Sequence, residues 1–250
     1  MSDSTYIVVF PSLFAESKIS LLMVNIKKIL KIQNQNFTKV FRDGNLILVE
    51  ANDPVFASST IGLLFGIKKI VIAKQIKNDF KTIVSEITKV GSSLLLKGEK
   101  FYVSVNGNPQ GYMTKDVELS ATSSLIEKNK RINAKPGTKE KHDKLLMAYI
   151  TKSNAYVSIF NDKGLGGTVN NSQNEKIICG ISDEFSGITC LETIKQGFDV
   201  KIVVFYKDDS ELVNIVKILH KILPRTLPVS YTHLRAHETR HDLVCRLLLE

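Results

Sequence analysis

The residues whose types and spacing come closest to a metal site lie near the end of the chain. His237 and His241, with Glu238 beside the first, spell H-E-x-x-H. On a helix this spacing puts two imidazoles on one face with a carboxylate next to them, the arrangement of a zinc protease. His233 lies one further turn back and could supply a third ligand. Only nine residues follow His241, which leaves little room for a substrate cleft, so we expect no metal site.

The three cysteines are the other candidate reactive groups. Cys179, Cys190 and Cys245 form no disulfide framework, which fits a reducing compartment. A cysteine acts as a nucleophile only where a base or a helix dipole lowers its pKa. Cys179 falls in an apolar strand and Cys190 in an amphipathic helix, so both are expected to be small buried hydrophobic residues.

The charge of the chain favours a polyanionic partner. Its 250 residues carry 34 Lys+Arg against 25 Asp+Glu, a net charge of +9. Such a balance favours nucleic acid first and an anionic membrane second. Seven basic residues are candidate contacts to such a partner: Lys100, Lys115, Lys128, Lys130, Arg131, Lys135 and Lys163.

Composition excludes several other classes of protein. Hydrophobic residues make up 43% of the chain and charged residues 24%, which predicts a packed core. No apolar run approaches the roughly 20 residues of a membrane span. The first residues have no basic stretch before their apolar run, so no secretory signal is expected. We therefore expect a cytoplasmic protein with no membrane partner.

The first 75 residues predict the element order βαββαβ. Ser17 is a candidate N-cap for a helix whose apolar positions, among them Ile19 and Ile26, follow a helical period. Gly44 lies in a hairpin turn between two β-rich runs. Asp53-Pro54 predicts the start of a second helix, which we expect Gly66 to end. This order is typical of a ferredoxin-like domain.

A second α/β segment follows over residues 79–168. The pattern predicts helices over 79–97 and 114–130, with a strand at 101–105 between them. Two further strands, at 145–150 and 155–160, lead into a glycine-rich loop at 163–167. The aromatic residues Phe101, Tyr102 and Tyr112 of this segment could stack on unpaired bases, although such residues are more often part of a core.

A third segment begins near Gln173. A buried strand at 176–180, a helix at 187–196 and an apolar strand at 200–206 predict the opening of a parallel, nucleotide-binding type of sheet.

The last residues differ in composition from the rest. Positions 1–228 hold 28 Lys and 3 Arg, whereas residues 229–250 hold 3 Arg and no Lys or Ile. That segment resembles translated sequencing-adapter read-through. We expect it to be non-native and the reading frame to be truncated.

In their order and spacing, residues 6–206 resemble the tRNA 4-thiouridine synthetases, also called tRNA sulfurtransferases. Phe10-Pro11, Leu64-Phe65-Gly66-Ile67, Val117-Glu118 and Lys163-Gly164-Leu165-Gly166-Gly167 carry the resemblance. It implies an α+β ferredoxin-like domain over 1–76 and an α/β THUMP RNA-binding domain over 77–170. A truncated parallel α/β (PP-loop, Rossmann-like) segment would cover 171–228, before the non-native tail at 229–250.

The chain departs from this family at the ATP loop. The family has S-G-G-x-D-S, in which the glycines allow backbone N–H groups to wrap a phosphate. Here Ser182 and Asp183 replace the two glycines and Phe185 replaces the aspartate, while Ser186 is retained. Gly180, Ser182, Asp183 and Ser186 are the candidate residues of a degenerate ATP loop. The family's catalytic cysteine would lie beyond this chain, so no catalytic residue is assigned.

The resemblance implies a tRNA-binding protein of tRNA modification that contacts the acceptor end of tRNA, with the seven basic residues named above as its predicted RNA contacts. As it stands the chain is expected to bind without catalysis. The alternative is an active ATP-dependent tRNA sulfurtransferase at full length. That protein would use ATP and Mg²⁺, a persulfide donor protein and a homodimer formed through its C-terminal domain, with a thiamine-biosynthesis role in some relatives. A THUMP methyltransferase ranks last, because no G-x-G-x-G loop follows a strand.

Overall fold

The computed structural model describes residues 5–227 and 231–235. Within them the protein is mixed α/β and divides into two units, one ending at Gly167 and the other beginning at Thr168. The strands are β1 (Thr5–Pro11), β2 (Phe37–Asp43), β3 (Leu46–Ala51), β4 (Ile67–Lys77), β5 (Lys100–Gly107), β6 (Lys135–Pro136), β7 (Lys144–Ile150), β8 (Asn154–Gly166), β9 (Lys176–Ile181), β10 (Asp199–Tyr206) and β11 (Tyr231–Arg235). The α-helices are α1 (Ile19–Ile32), α2 (Pro54–Ile61), α3 (Phe80–Leu94), α4 (Thr114–Lys128), α5 (Glu184–Lys195) and α6 (Asp209–Ile222).

The first six of these elements have the order βαββαβ. Strand β1 pairs antiparallel with both β3 and β4, so the strands lie in the order β2-β3-β1-β4. The apolar positions of α1 are buried, with Ile19 3% and Ile26 0% exposed. Helix α2 begins as expected, because the Asp53 carboxylate accepts hydrogen bonds from the N–H groups of Val55 and Phe56 at 3.0 and 3.1 Å.

Two helix boundaries in this region differ from those expected. Ser17 is not an N-cap, because a short 3-10 helix at Leu13–Lys18 runs directly into α1. Helix α2 ends at Ile61, where the N–H of Gly62 closes the last turn. Gly66 instead has a positive φ of 87° and forms the turn into β4.

A single eight-stranded sheet extends through the whole first unit. Its order is β2-β3-β1-β4-β8-β7-β5-β6. Strands β4 and β8 pair from Ile67↔Gly166 to Lys77↔Asn154, so the sheet continues across the expected boundary between residues 76 and 77.

The pairing of β4 with β8 corrects the expected loop at 163–167. Most of this glycine-rich segment is strand, and Gly164 lies against β4. A Cβ at Gly164 would lie 2.2 Å from the carbonyl oxygen of Ile67. The glycine is therefore required by the close approach of two backbones.

The buried side chains of the first unit include two clusters that together involve residues of both halves of the unit. In one, α3 and α4 pack on β5, β7 and β8, with Ile83, Val117 and Leu125 fully buried. In the other, Val8 and Leu48 pack with Met147.

A half-buried polar network joins the β2–β3 hairpin to the β7–β8 turn. The Asp43 carboxylate accepts hydrogen bonds from the Thr151 hydroxyl at 2.9 Å, the Asn154 amide at 3.2 Å and the Tyr156 hydroxyl at 2.5 Å. Burial, followed by the hydrogen bond to Asp43, raises the pKa of Tyr156. The network therefore connects the end of β2 to the β7–β8 turn.

The second unit has a parallel sheet with the order β9-β10-β11. The prediction that β9 is a buried strand is wrong for one of its faces, since Ile181 is 0% exposed but Ile178 is 64% exposed. Successive side chains of a strand point to opposite faces, so only one face of β9 is covered.

Among residues 229–250, the structure describes one short strand. Residues 231–235 form β11, which pairs from Ile202↔Tyr231 to Tyr206↔Arg235. His233 therefore lies in a strand rather than on a helix with the H-E-x-x-H residues. His237, Glu238, His241 and Cys245 lie outside the described residues, and the non-native origin of 229–250 remains a prediction.

Candidate functional site

The candidate ATP loop lies between β9 and α5. Helix α5 begins at Glu184, three residues before the expected start, because Asp183 caps it. The Asp183 carboxylate accepts a hydrogen bond from the N–H of Ser186 at 2.8 Å. In return, the Ser186 hydroxyl accepts from the N–H groups of Ser182 and Asp183, both at 3.0 Å. This is a reciprocal capping box.

The capping box occupies the groups that an ATP phosphate would need. A phosphate loop leaves backbone N–H groups open toward an anion. Here the N–H groups of Ser182, Asp183 and Ser186 are bound by side chains of the same loop, and one partner is itself a carboxylate. The backbone hydrogen bond from Ser186, followed by its side-chain hydrogen bond, lowers the pKa of Asp183, which keeps that carboxylate charged.

The surroundings of the loop are also acidic. A cavity of about 390 Å³ next to it is lined by Asp183, Glu184 and Glu211. The fourth candidate residue, Gly180, lies apart in β9, where a Cβ would be 2.8 Å from the Phe205 ring. Gly180 is thus explained by packing on Phe205, and the residues as arranged do not fit a triphosphate.

Two cysteines of this unit, Cys179 of β9 and Cys190 of α5, are hydrogen-bonded through their side chains. Cys190 is buried as expected, whereas Cys179 is only half-buried. Burial, together with Cys179, raises the pKa of Cys190 to about 12. A thiol with so high a pKa is a poor nucleophile near neutral pH.

Five of the seven predicted RNA-contact residues gather at one edge of the first unit. Lys128, Lys130 and Arg131 follow one another at the end of α4, and Lys100 of β5 pairs with Lys135 of β6. Two hydrogen bonds join these segments, from Gly98 N–H to the Ile132 carbonyl at 2.9 Å and from Lys135 N–H to the Glu99 carbonyl at 3.1 Å. We call these five residues, all exposed, the basic edge.

Two carboxylates near the basic edge, those of Glu99 and Asp143, have partners within the fold. Glu99 accepts a hydrogen bond from the Leu96 N–H at 2.8 Å and lies 3.9 Å from the Lys144 ammonium. Asp143 accepts from the Lys100 N–H at 2.7 Å. The ammonium and guanidinium groups of the edge therefore produce a positive potential toward solvent.

The other two predicted RNA-contact residues lie elsewhere. Lys115 is at the opposite end of α4, about 20 Å away at 1.5 Å rise per residue, and pairs with Glu118 at 3.0 Å. The hydrogen bond to Glu118 raises the pKa of Lys115. Lys163 lies in β8, directly opposite Lys69 of β4.

Two of the three aromatic residues predicted as candidates for base stacking, Phe101 and Tyr112, pack in or against the core. Phe101 is 1% exposed. Tyr112 packs edge-on against Phe80 at 5.7 Å between ring centroids, and its hydroxyl donates to the Asn78 side chain. Tyr102 is half-buried beside the His142 ring.

Among the residues that the structure describes, no three His, Cys, Asp or Glu side chains are grouped to hold a metal ion. In the same part of the chain, no helix is both long and apolar enough to cross a membrane.

Comparison with solved structures shows which folds this one resembles. Its fold is similar to that of PH1313 from Pyrococcus horikoshii, with a TM-score of 0.77 and 19% identity over 94% of this chain and 79% of that one. It is also similar to a 4-thiouridine synthetase in complex with RNA and bound ATP, with a TM-score of 0.71 and 14% identity over 93% of this chain. This chain spans 62% of that synthetase.

A weaker similarity links the chain to TrmN from Thermus thermophilus, with a TM-score of 0.50 and 9% identity. No protein-family model and no curated protein sequence matches the chain. At these identities the comparisons establish a shared fold, while function depends on the particular residues of the site.

Proposed function

We propose that this chain is a tRNA-binding protein of the 4-thiouridine synthetase type, which takes part in tRNA modification without itself transferring sulfur. The observation that carries the proposal is the likeness of 93% of the chain to a 4-thiouridine synthetase solved with RNA. The basic edge supports it, because that surface offers five exposed cations to a phosphate backbone.

The basic edge is suited to reading shape rather than sequence. Lysine ammonium groups follow a line of phosphates without distinguishing bases. Proteins recognise double-stranded RNA mainly by its shape and read bases at unpaired ends. In this proposal the THUMP domain, residues 77–170, holds the acceptor end of tRNA through Lys100, Lys128, Lys130, Arg131 and Lys135.

The remaining assignments complete the same proposal. Residues 1–76 are the ferredoxin-like domain and 171–228 a PP-loop-like segment whose ATP loop is closed by its own capping box. The protein acts in the cytoplasm.

A second candidate is an active ATP-dependent tRNA sulfurtransferase formed by a longer chain. Two observations favour it, the ATP bound to the similar synthetase and the 62% of that protein that this chain spans. A homodimer, a persulfide donor, Mg²⁺ and a role in thiamine biosynthesis belong to that candidate alone. The capping box argues against it, because a triphosphate would have to displace a carboxylate from the start of α5.

One binding experiment separates the two candidates. The full chain is titrated with tRNA in the presence and absence of MgATP, and with MgATP alone by calorimetry. We expect tRNA to bind with the same Kd in both conditions and MgATP to produce no binding heat. Two variants, Asp183→Gly and Thr189→Gly, are titrated with MgATP in the same way. Both shorten an exposed residue, but only Asp183→Gly opens the capping box. Binding of MgATP by the unaltered chain would overturn the non-catalytic proposal.

A further inference from the structure

A preformed groove lies at the end of β1, away from the basic edge. Its volume is about 550 Å³, and its lining includes Phe10, Phe14, Lys68, Tyr149 and Lys163. Chain reversals and strand ends bring these residues together from four strands and the 3-10 helix. None of them belongs to the ATP loop or to the basic edge.

The groove is held rigid by short backbone contacts. The Ser12 hydroxyl donates to the Gly167 carbonyl at 2.6 Å, and the Ser12 N–H donates to the Gly66 carbonyl at 2.8 Å. The Gly66 N–H in turn donates to the Gly166 carbonyl at 2.7 Å. Sites that are built in advance of binding avoid the cost of ordering a loop.

Irregular strand pairing occurs next to the groove. The register shifts between Phe10 and Pro11 in the β1–β4 pair, and between Ile67 and Lys69 in the β4–β8 pair. Such irregularities redirect side chains from their regular faces and are frequent next to functional sites. Lys68 lies at the second shift and is exposed.

The groove combines exposed apolar side chains with cations. Phe14 is 67% and Leu13 77% exposed. The Lys69 ammonium lies 4.3 Å from the centroid of the Phe10 ring, which lines the groove. Burial, followed by the neighbouring Lys68, lowers the pKa of Lys69. The ammonium groups of Lys68 and Lys163 stand at the groove itself, where Glu16 contributes one carboxylate.

From this juxtaposition we infer that the groove binds an unpaired RNA nucleotide, with the Phe14 ring stacking on the base and Lys68 and Lys163 contacting its phosphates. The inference rests on the proposed function, since RNA is the ligand of both. Aromatic rings beside a cationic track are the usual means of holding single-stranded nucleic acid. Two lysines against one carboxylate favour a polyanion, and the exposed Phe14 ring lies outside the cation–π contact between Lys69 and Phe10.

The test uses the full chain and a fluorescent hexauridine as probe. We expect Phe14→Ala to weaken hexauridine binding roughly tenfold, within the range known for removal of one base–aromatic stack. Phe56→Ala is the matched control, because Phe56 on α2 is 66% exposed and lies outside the groove. The double change Lys68→Ala/Lys163→Ala should also weaken binding, whereas Lys27→Ala/Lys28→Ala should not.

A hexamer of abasic ribose phosphate separates stacking from charge. It should bind the unaltered chain about as weakly as hexauridine binds the Phe14→Ala variant. Hexauridine binding that Phe14→Ala leaves unchanged would overturn the inference, and loss of self-association in that variant would instead assign the groove to a second copy of the chain. The proposed function is judged separately, because it predicts tRNA binding that depends on the basic edge whatever the groove variants do.

Discussion

Reversing four charges of the basic edge is expected to weaken tRNA binding by about a hundredfold or more. The variant is Lys100→Glu/Lys130→Glu/Arg131→Glu/Lys135→Glu. Each cation that no longer neutralises a phosphate removes counterion release from the binding free energy, and each new carboxylate repels the backbone. The dependence of the binding constant on salt should also become shallower. The magnitude of the slope of log K against log salt should decrease by roughly 0.7 to 0.9 for each phosphate that is no longer neutralised. Both quantities are measured by fluorescence titration of tRNA at several salt concentrations.

The control for this variant changes the net charge by the same amount elsewhere. Lys27, Lys28, Lys152 and Lys176 are all exposed and lie outside the basic edge. Their fourfold change to Glu should weaken tRNA binding only modestly, by reducing long-range attraction. An equal reduction in the two variants would mean that net charge alone governs binding, and the basic edge would have no particular role.

The largest effect on stability is expected from Gly107→Ala. Gly107 ends β5 with a φ of +113°, and a Cβ there would lie 1.9 Å from the carbonyl oxygen of Ile150 in β7. The new methyl group therefore requires both an unfavourable backbone conformation and separation of two paired strands. We expect the free energy of unfolding in urea to fall by about 3 kcal/mol or more.

Gly98→Ala is the matched control for Gly107→Ala. Gly98 also has a positive φ, of 80°, but no atom lies within 4 Å of the position of its Cβ. This variant should be destabilised by only about 1 to 2 kcal/mol, the cost of a left-handed alanine. Equal destabilisation of the two variants would show that backbone strain alone accounts for the effect, and the close approach of β5 to β7 would be refuted.

Much of the fold can be predicted because its signals are local. The apolar spacing of α1 and the Asp53-Pro54 start of α2 each depend on a few neighbouring residues, and the structure has both. The hairpin around Gly44 is equally local, since the turn requires its φ of +61°.

The elements that differ from the sequence-based prediction depend on pairing partners distant in sequence, or on side chains that bond to backbone groups at a helix end. The segment at 163–167 has the composition of a loop, yet it pairs with the distant start of β4, where Lys69 lies opposite Lys163 and Ile67 opposite Gly166. Helix α5 starts earlier than its apolar periodicity indicates, because Asp183 and Ser186 satisfy each other's backbone groups.

The candidate sites also combine residues that are neighbours in the sequence with residues that only the fold brings together. The run Lys128, Lys130 and Arg131 is visible in the sequence, but the pairing of Lys100 with Lys135 requires the topology of the sheet. The groove is hidden in the sequence for the same reason, because Phe14 and Lys163 are far apart along the chain. Its local signal is the apolar pair Leu13-Phe14 at the start of the 3-10 helix before α1, where both side chains are exposed.

The most direct test of tRNA recognition compares intact tRNA with the same tRNA lacking its 3′ CCA. The full chain is titrated with each at low and at physiological salt. A chain that holds the acceptor end should bind intact tRNA with affinity that falls steeply with salt, and should bind the shortened tRNA several-fold more weakly at both salt concentrations. Equal affinity for the two tRNAs, or no binding at low salt, would contradict the account.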